Sequence, residues 1–343
     1  MEALFNQAAK LHRAGRLDEA EAIYRQITDS KSSLALNNLG VVLRATGRLE
    51  EAEAVLRRAV AAEPHRASPR FMLGMTLLGL GNYAEGWRYF EARRTVHPSR
   101  LPPLPFPEWQ GENLTGKHLL VFGEQGFGDQ ILFARFIPQL AQQAARVTLC
   151  VARRLVPLLT SLPAHVFYPD NWAALRADYW IHMETAPLYW EMGPEDAPAP
   201  YLAQAPRRVS GVGLMLQGDP RNENNANRLP GAEAAREIRG LAPFVDLAPE
   251  ATGAKDFVET AEIIAGLEMV VTVDTSVAHL AGAMGKPTLL LMGRPAMDWY
   301  TNWHDDRSPW YPSIRSIRQP RAGDWKSVVA RLGLALAEAG LAD

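Results

Sequence analysis

Glycine and apolar positions recur at one spacing over the N-terminal part of the chain. Three segments align on a glycine that is followed by acidic and alanine positions, and these glycines, 32 and 34 residues apart, are Gly15, Gly47 and Gly81. A period of about 34 residues is typical of paired helices that stack into an array. The pattern therefore predicts three helix pairs over residues 1–98, with the last pair less regular.

The second of these units carries the fullest set of small and apolar positions, which are Leu36, Leu39, Gly40, Leu43, Ala52, Leu56, Ala59 and Pro64. This spacing resembles the tetratricopeptide repeat, in which small residues stand where two helices cross and a proline ends the second helix. Such arrays present a concave face to a partner. Asn6 and Asn38 occupy the same place in repeats one and two, where similar arrays hydrogen-bond an extended peptide. The alternative is that both are ordinary solvated helix residues.

Prolines then interrupt the helical pattern. Four prolines within residues 101–107 exclude a helix and favour an extended connector. Residues 99–114 are therefore predicted to be a linker between the array and the rest of the chain.

Beyond the linker, short apolar runs alternate with helix-period stretches. A run at 118–122 predicts a strand, residues 130–144 predict a helix, and residues 147–151 predict a second strand. Strand, helix and strand in this order indicate a parallel sheet whose ligands bind at the carboxyl edge of the strands.

A second series of the same kind begins at residue 211. Its predicted elements are strands at 211–216, 268–273 and 288–292, a polar asparagine-rich loop at 218–228 and a helix at 256–267. We therefore divide the region after the linker into an N-terminal half, 115–206, and a C-terminal half, 207–343. Residues 333–340 predict a terminal helix, which we expect to cross back onto the N-terminal half.

Composition and charge exclude several classes of protein. Lys and Arg total 36 and Asp and Glu total 38, a formal charge of -2, whereas nucleic-acid-binding domains usually carry a basic excess. The single cysteine, Cys150, excludes an internal disulfide and a zinc site built from thiolates. The N-terminus lacks a basic and apolar signal segment, and the most apolar stretch, 263–273, is too short to span a bilayer. We therefore expect a cytoplasmic protein without a transmembrane segment or a nucleic-acid partner.

The loop after the first predicted strand contains Gly123, Gly126 and Gly128, followed by Asp129. Dinucleotide-binding loops instead space their glycines as G-x-G-x-x-G, with an acidic residue about 20 positions further on. The spacing argues against such a site, although the arginine pair at 153–154 leaves an NADP-dependent enzyme open. A tight turn without a ligand is a further alternative. Asp129 would either cap the helix that follows or act as a general base at the mouth of a cleft.

A second polar cluster follows the strand predicted at 268–273. Asp274, Thr275, Ser276 and Val277 stand where a helix begins. Free backbone N–H groups and hydroxyls at a helix N-terminus form a ready phosphate site. Simple N-capping by Asp274 or Thr275 is the alternative, and the spacing leaves both open.

Together these segments carry a family resemblance. Residues 273–287 look like the C-terminal signature of glycosyltransferase family 9, the heptosyltransferases, and residues 126–129 look like its N-terminal signature. Residues 298–299 and 308–312 match the bacterial branch in which a tetratricopeptide array precedes the transferase. The resemblance implies the GT-B fold, in which two Rossmann-like halves face each other across a cleft, so the expected fold class of the whole chain is α + α/β. The layout is also similar to O-GlcNAc transferase, which glycosylates proteins.

The resemblance also implies roles for individual residues. Asp129 is the expected catalytic base, and the acceptor-side loop consists of Glu124, Gln125, Gly126 and Gly128. The residues expected to contact the donor diphosphate are Asp274, Thr275, Ser276, Val277, Arg228 and His279. Packing between helix and sheet is the alternative for His279, and capping of the turn is the alternative for Glu124.

The expected function is that of an inverting glycosyltransferase. It would move a sugar from a nucleotide-sugar donor to an acceptor, a protein recruited by the repeats, with no cofactor and no metal ion. The segment between Arg228 and Asp256 is short for the family, and Asp246 or Glu250 is the candidate for binding the ribose. The alternative is a non-catalytic interaction scaffold with a degenerate GT-B domain. The array would also permit a homodimer.

Overall fold

The computed structural model of the chain describes residues 2–28, 32–99, 101–220, 225–295, 298–301 and 303–341. Within these residues, a helical array leads through an extended linker into two α/β halves. Of the polar loop predicted at 218–228, residues 221–224 lie outside the described residues, and a short helix, α11 (Asn225–Arg228), forms its end.

Six described helices form the three predicted pairs, which are α1 (Glu2–Arg13) with α2 (Leu17–Ile27), α3 (Ser33–Ala45) with α4 (Leu49–Ala62), and α5 (Ala67–Gly79) with α6 (Tyr83–Phe90). Glycines let the paired helices approach closely. A Cβ on Gly40 would lie 2.5 Å from Leu56, and one on Gly74 would lie 2.5 Å from the backbone nitrogen of Phe90. A short helix, α7 (Arg93–Val96), follows the third pair. The predicted array is confirmed.

The N-terminal half contains a parallel sheet of four described strands in the order β3-β2-β1-β4, which are β1 (His118–Phe122), β2 (Arg146–Cys150), β3 (His165–Phe167) and β4 (Tyr179–His182). The helix expected at 130–144 is broken. Its two parts, α8 (Phe127–Phe133) and α9 (Ile137–Gln143), are separated by a 3-10 turn at 134–136. Pro138 in the first turn of α9 has no N–H to donate, so an unbroken α-helix cannot run through this position. A further short helix, α10 (Val156–Leu159), precedes β3.

The C-terminal half contains a parallel sheet of five described strands in the order β6-β5-β7-β8-β9, which are β5 (Val212–Met215), β6 (Phe244–Asp246), β7 (Met269–Val273), β8 (Thr288–Met292) and β9 (Ile314–Arg318). Its helices are α12 (Ala232–Arg239), α13 (Pro249–Thr252), α14 (Phe257–Gly266), α15 (Ser276–Ala283) and α16 (Trp325–Glu338). The segment that seemed short in the sequence thus still holds a helix, a strand and a further helical turn. Both sheets are parallel, and the expected α + α/β class with two Rossmann-like halves is confirmed.

The terminal helix is longer than predicted and does not cross back. Val328, Leu332 and Leu336 of α16 are buried in a core shared with α12 and the C-terminal sheet. One face of the C-terminal sheet is apolar and must be buried, and the apolar side of α16 packs on it within the same half. The chain instead passes between the halves once, after residue 190, where the backbone N–H groups of Tyr201 and Leu202 donate to the carbonyl of Ala283.

An aromatic cluster joins the array to both halves. Trp87 of α6 packs edge-on against Phe133 of the N-terminal half and against Trp299 and Trp310 of the C-terminal half, with ring centroids 5.4 to 6.2 Å apart. Its indole N–H donates to the carbonyl of Met192 at 2.8 Å. Aromatic burial of this extent dominates packing energy, so the array and the halves share one core. None of the described helices is both long and apolar enough to cross a bilayer.

Candidate functional site

A cavity of about 1060 Å³ lies where the carboxyl edges of the two sheets face each other. Its walls come from three parts of the chain: the loop before α8, the loops and helix tips of the C-terminal half, and helices α5 and α6 of the array. The carboxyl edge of parallel strands is the usual place for a ligand in an α/β fold. The cavity is therefore the candidate active site.

Asp129 stands in the first turn of α8 and lines this cavity. Its carboxylate accepts the backbone N–H of Gly126 at 3.1 Å, so the capping interaction considered from the sequence is present. Burial raises the pKa of Asp129 to about 6; the Gly126 N–H opposes this shift, and the negative charge of Asp274 adds to it. A carboxylate whose pKa lies near neutrality is suited to take a proton from a hydroxyl. Capping and catalysis are thus compatible at this residue.

Two glycines, one before α8 and one in its first turn, leave no room for a side chain. A Cβ on Gly123 would lie 2.8 Å from Cγ of Gln130, and a Cβ on Gly128 would lie 2.6 Å from Cδ2 of His279. Between them, Gln125 adopts a left-handed backbone with φ of 56°. Only a few per cent of non-glycine residues have this conformation, and they concentrate at functional sites. Gln125, Gly126 and Gly128 all line the cavity.

The N-terminus of α15 faces Asp129 from the C-terminal half. Among the described residues, no side chain caps this helix. The carboxylate of Asp274 instead accepts the hydroxyl of Tyr300 at 2.5 Å, and the hydroxyl of Thr275 lies 3.4 Å from that of Thr272. The N-capping alternative is therefore wrong. The N–H of Ala278 donates to the carbonyl of Thr275 at 3.0 Å, so the N–H groups of Ser276 and Val277 are those placed to meet a negatively charged ligand. Asp274, Thr275, Ser276 and Val277 line the cavity.

His279 lies one turn further along α15 and is buried between the halves. Its ring packs against Tyr300 with centroids 4.6 Å apart, and its Nδ1 lies 3.3 Å from the hydroxyl of Tyr311. Burial, together with the charge of Arg135, lowers the pKa of His279 to about 3, so the ring is neutral at neutral pH. His279 borders the cavity, but it brings no positive charge to a diphosphate.

Arg228 is the last residue of α11 and lines the cavity. Its Nε donates to Oδ1 of Asn225 at 3.1 Å. Its guanidinium packs against Gly218, where an added Cβ would lie 2.7 Å from Nη2. Arg154 and Lys255 bring two further positive charges to the wall. The sequence pointed to Arg154 only through the NADP alternative and carried no signal for Lys255.

Glu124 is engaged elsewhere. Its carboxylate is buried and accepts Nη2 of Arg93 at 2.7 Å, while its backbone N–H donates to Oε1 of Glu184 at 3.0 Å. Glu124 borders a separate cavity of about 460 Å³ on the other side of the turn. The structure thus favours the structural alternative for Glu124 over direct contact with a ligand in the main cavity.

The two asparagines of the proposed peptide groove lie on α1 and α3, outside the described lining of the cavity. Asn6 is exposed. The Nδ2 of Asn38 donates to the hydroxyl of Tyr24 at 3.1 Å. Asn38 therefore already has a partner within the array, and a role in peptide binding stays a prediction for both residues.

Part of the array enters the site, and no sequence motif marks it. Phe71 and Met75 of α5 and Phe90 of α6 form an apolar wall of the cavity. They belong to the third repeat, whose apolar positions looked like ordinary core. Of the two candidates for the ribose, Glu250 lines the cavity, whereas Asp246 pairs with Arg239 at 2.9 Å. Among the described residues, no group of three His, Cys, Asp or Glu side chains is placed to hold a metal ion.

Two segments match known families. Residues 216–322 match the sequence model of glycosyltransferase family 9 (heptosyltransferase), and residues 11–69 match that of the tetratricopeptide repeat. Protein FlbA of Caulobacter vibrioides is 28% identical over 335 residues, which cover 79% of this chain and 55% of that protein. The chain thus spans about half the length of this curated relative.

Two solved structures are similar at 14% sequence identity. The first is a mutant of the O-GlcNAc transferase of Thermobaculum terrenum, with a TM-score of 0.28, covering 98% of this chain and 89% of that chain. The second is the dodecameric iron-containing heptosyltransferase TibC in complex with ADP-D-beta-D-heptose, with a TM-score of 0.39, covering 65% of this chain and 79% of that chain.

Proposed function

We propose that this chain, in which a tetratricopeptide array precedes a glycosyltransferase family 9 domain, transfers a sugar from a nucleotide-sugar donor to a protein hydroxyl, with inversion and without a metal ion. One observation carries the proposal. A single cavity holds Asp129 from the N-terminal half and the uncapped N-terminus of α15 from the C-terminal half. A base on one wall and an anion site on the other are what a single displacement needs.

Asp129 is the proposed general base. Its pKa of about 6 leaves it mostly ionised at neutral pH, yet basic enough to accept the proton of an acceptor hydroxyl as the bond to the sugar forms. The hydroxyl oxygen attacks the anomeric carbon, and the bond from that carbon to the donor phosphate breaks on the opposite face. The electron pair goes to the phosphate oxygen, so the anomeric configuration inverts.

The departing nucleoside diphosphate gains negative charge, which fixed donors must stabilise. The N–H groups at the start of α15 and the hydroxyl of Ser276 are placed for this role at the cavity wall. Arg228 adds a positive charge beside them. Because His279 is neutral, we assign it to packing between the halves rather than to the diphosphate. This arrangement supports departure of the diphosphate without a metal ion.

The array supports a protein acceptor. Its third repeat supplies Phe71, Met75 and Phe90 to the wall of the cavity that Asp129 also lines, so a polypeptide bound along this wall would lie next to Asp129. The apolar character of this wall suits an acceptor with apolar side chains beside the modified hydroxyl. The cytoplasmic setting and the homodimer expected from the sequence stay predictions.

Ligand-induced thermal shifts test the donor half of the proposal. The panel contains UDP, GDP, ADP, CMP and dTDP and their sugar conjugates, each with magnesium and with EDTA. A ligand present at about 100 times its Kd stabilises the folded state by about 2.7 kcal/mol, which is readily measured. We expect one base series to stabilise the protein equally in both buffers, and Asp129→Asn to keep that response. No response to any nucleotide from the folded protein would instead support the non-catalytic scaffold.

A further inference from the structure

Arg93 links the array to the loop that carries Asp129. It is the first residue of α7, at the end of the array, and its side chain is only 1% exposed. Its Nε and Nη2 donate to Oε2 of Glu124 at 3.0 and 2.7 Å, and Nη2 also donates to the hydroxyl of Thr185 at 2.7 Å. Its Nη1 pairs with Glu91. A guanidinium fully enclosed by such partners has a fixed position.

The positive charge of Arg93 favours the ionised form of the buried carboxylates around it. Glu184 is buried, and its two oxygens accept the backbone N–H of Glu124 at 3.0 and 3.2 Å. Burial and the charge of Glu124 raise the pKa of Glu184 well above its usual range, and the charge of Arg93 opposes this shift. Burial and Arg93 together lower the pKa of the adjacent His182 to about 3. Arg93 is therefore the cation that balances these buried acids.

The same residues fix the turn that leads to Asp129. At its start, Glu124 is held by Arg93 through its side chain and by Glu184 through its backbone. At its end, the N–H of Gly126 donates to the carboxylate of Asp129 at 3.1 Å. Gln125 between them has the left-handed φ of 56°, a conformation that persists only where its neighbours impose it. The anchor at Glu124 contributes to this constraint, together with Nε2 of Gln130, which donates to the carbonyl of Gln125 at 3.4 Å.

One short stretch of the array thus has two contacts with the site. Phe90 lines the cavity, and the guanidinium of Arg93 lies 5.1 Å from the centre of the Phe90 ring. The apolar wall and the anchor of the base loop are therefore in direct contact.

We propose that Arg93 is a positioning residue for Asp129, acting through Glu124 and the turn between them, so that the array is needed for turnover as well as for holding an acceptor. This inference rests on the proposed function, because it takes Asp129 to be the base. Arg93 itself contacts neither the cavity nor a substrate.

The test compares Arg93→Met and Arg93→Lys with a matched control, Arg88→Met. Arg88 also joins the array to the N-terminal half, through Glu191 at 2.6 Å, but its side chain is 66% exposed. Hydrogen exchange of the full chain without ligand is measured first. We expect amides of residues 123–130 to exchange about tenfold faster or more in Arg93→Met, since the loop loses its anchor. Arg88→Met should leave them within about twofold of the wild type.

Turnover is measured next, with a donor found in the nucleotide panel. We expect Arg93→Met to lower kcat about tenfold or more, while the Kd of the donor changes less than about twofold, because a misplaced base affects the reaction and not donor binding. Arg93→Lys keeps the charge and should recover part of kcat. If Arg93→Met does not fold, Arg93→Lys is the test variant. We then expect the amides of residues 123–130 to exchange faster, and kcat to be lower, in Arg93→Lys than in Arg88→Met.

Normal exchange of the loop in both Arg93 variants would overturn the proposal. So would a loss of kcat that is matched by a general loss of protection throughout the chain. If the wild type transfers no sugar from any donor, the proposed function fails, whereas the exchange of residues 123–130 still reports whether Arg93 holds the loop.

Discussion

Gly128 of the N-terminal half packs directly against the imidazole of His279 in the C-terminal half, where a Cβ on Gly128 would lie 2.6 Å from Cδ2 of the ring. The contact lies at the inner end of the cavity, between the helix that carries Asp129 and the helix whose N-terminus faces it. This close approach is one of the contacts that hold the proposed base near the proposed diphosphate site.

Gly128→Ala should therefore destabilise the protein. The added methyl must push His279 away, and overpacking of this kind costs about 1–3 kcal/mol. Gly231→Ala is the control, because a Cβ there would meet nothing within 4 Å among the described residues and its φ is -64°. Chemical denaturation measures both variants. Equal stability of Gly128→Ala and the wild type would show that the halves are not in this contact.

The raised pKa of Asp129 makes stability depend on pH. Its pKa of about 6 in the folded protein exceeds the ordinary 3.8, so the folded state holds the proton more tightly than the unfolded chain. This contribution is fully present below the ordinary pKa and is lost as the pH rises through about 6. Asp129→Asn cannot titrate. The free energy of unfolding of Asp129→Asn, relative to that of the wild type, should therefore rise between about pH 4 and pH 6, the interval between the two pKa values. A constant difference across this range, measured by urea denaturation, would contradict the shift.

The apolar wall from the array should select the acceptor. Met75→Glu places a charge next to the proposed acceptor path, and we expect the KM for a protein acceptor to rise about tenfold or more, since an unpaired charge disfavours apolar contact. The thermal shift with donor alone should stay unchanged. Leu334→Glu is the control, because Leu334 is 66% exposed on α16. An unchanged KM in Met75→Glu would mean that the acceptor avoids this wall.

Arg228 should contribute to donor affinity. Arg228→Met removes a positive charge from the cavity wall, and the Kd of the nucleoside diphosphate should rise about tenfold or more, as for a hydrogen bond to a charged group. Arg315→Met is the comparison, since Arg315 is 48% exposed and pairs with Asp306. Isothermal titration calorimetry measures both. Equal affinity of the two variants would remove Arg228 from the diphosphate site.

The parts of the fold that the sequence predicted are those with local signals. Strands at 118–122 and 288–292 agree with β1 and β8 because each is a buried apolar run with a glycine or proline beside it. The helix predicted at 130–144 is broken because Pro138 cannot donate a backbone hydrogen bond to the turn before it. The spacing of apolar residues continues through this position and does not reveal the break. The position of α16 depends on which face of the sheet is left for it to bury. That face is known only once the tertiary structure is known.

The sequence pointed to residues that line the cavity where one turn or one helix tip carries them, as at Asp129 and Thr275. It was not predictable where partners come from distant parts of the chain. Arg93 and Glu124 are 31 residues apart, and Phe71 reaches the cavity only because the array folds back over both halves. No local pattern of residues could have brought these groups together.

Turnover by Asp129→Asn is the most direct test of the central claim, that one carboxylate in this cavity activates the acceptor. The asparagine keeps the shape of the side chain and cannot take a proton. Asp170→Asn is its control, because Asp170 lies in the same half, is exposed and pairs with Arg153 at 2.6 Å. At saturating donor, we predict that Asp129→Asn loses about a hundredfold or more of kcat, the scale of general-base catalysis. Donor affinity and the kcat of Asp170→Asn should match the wild type. Transfer by Asp129→Asn at the wild-type rate would contradict the account.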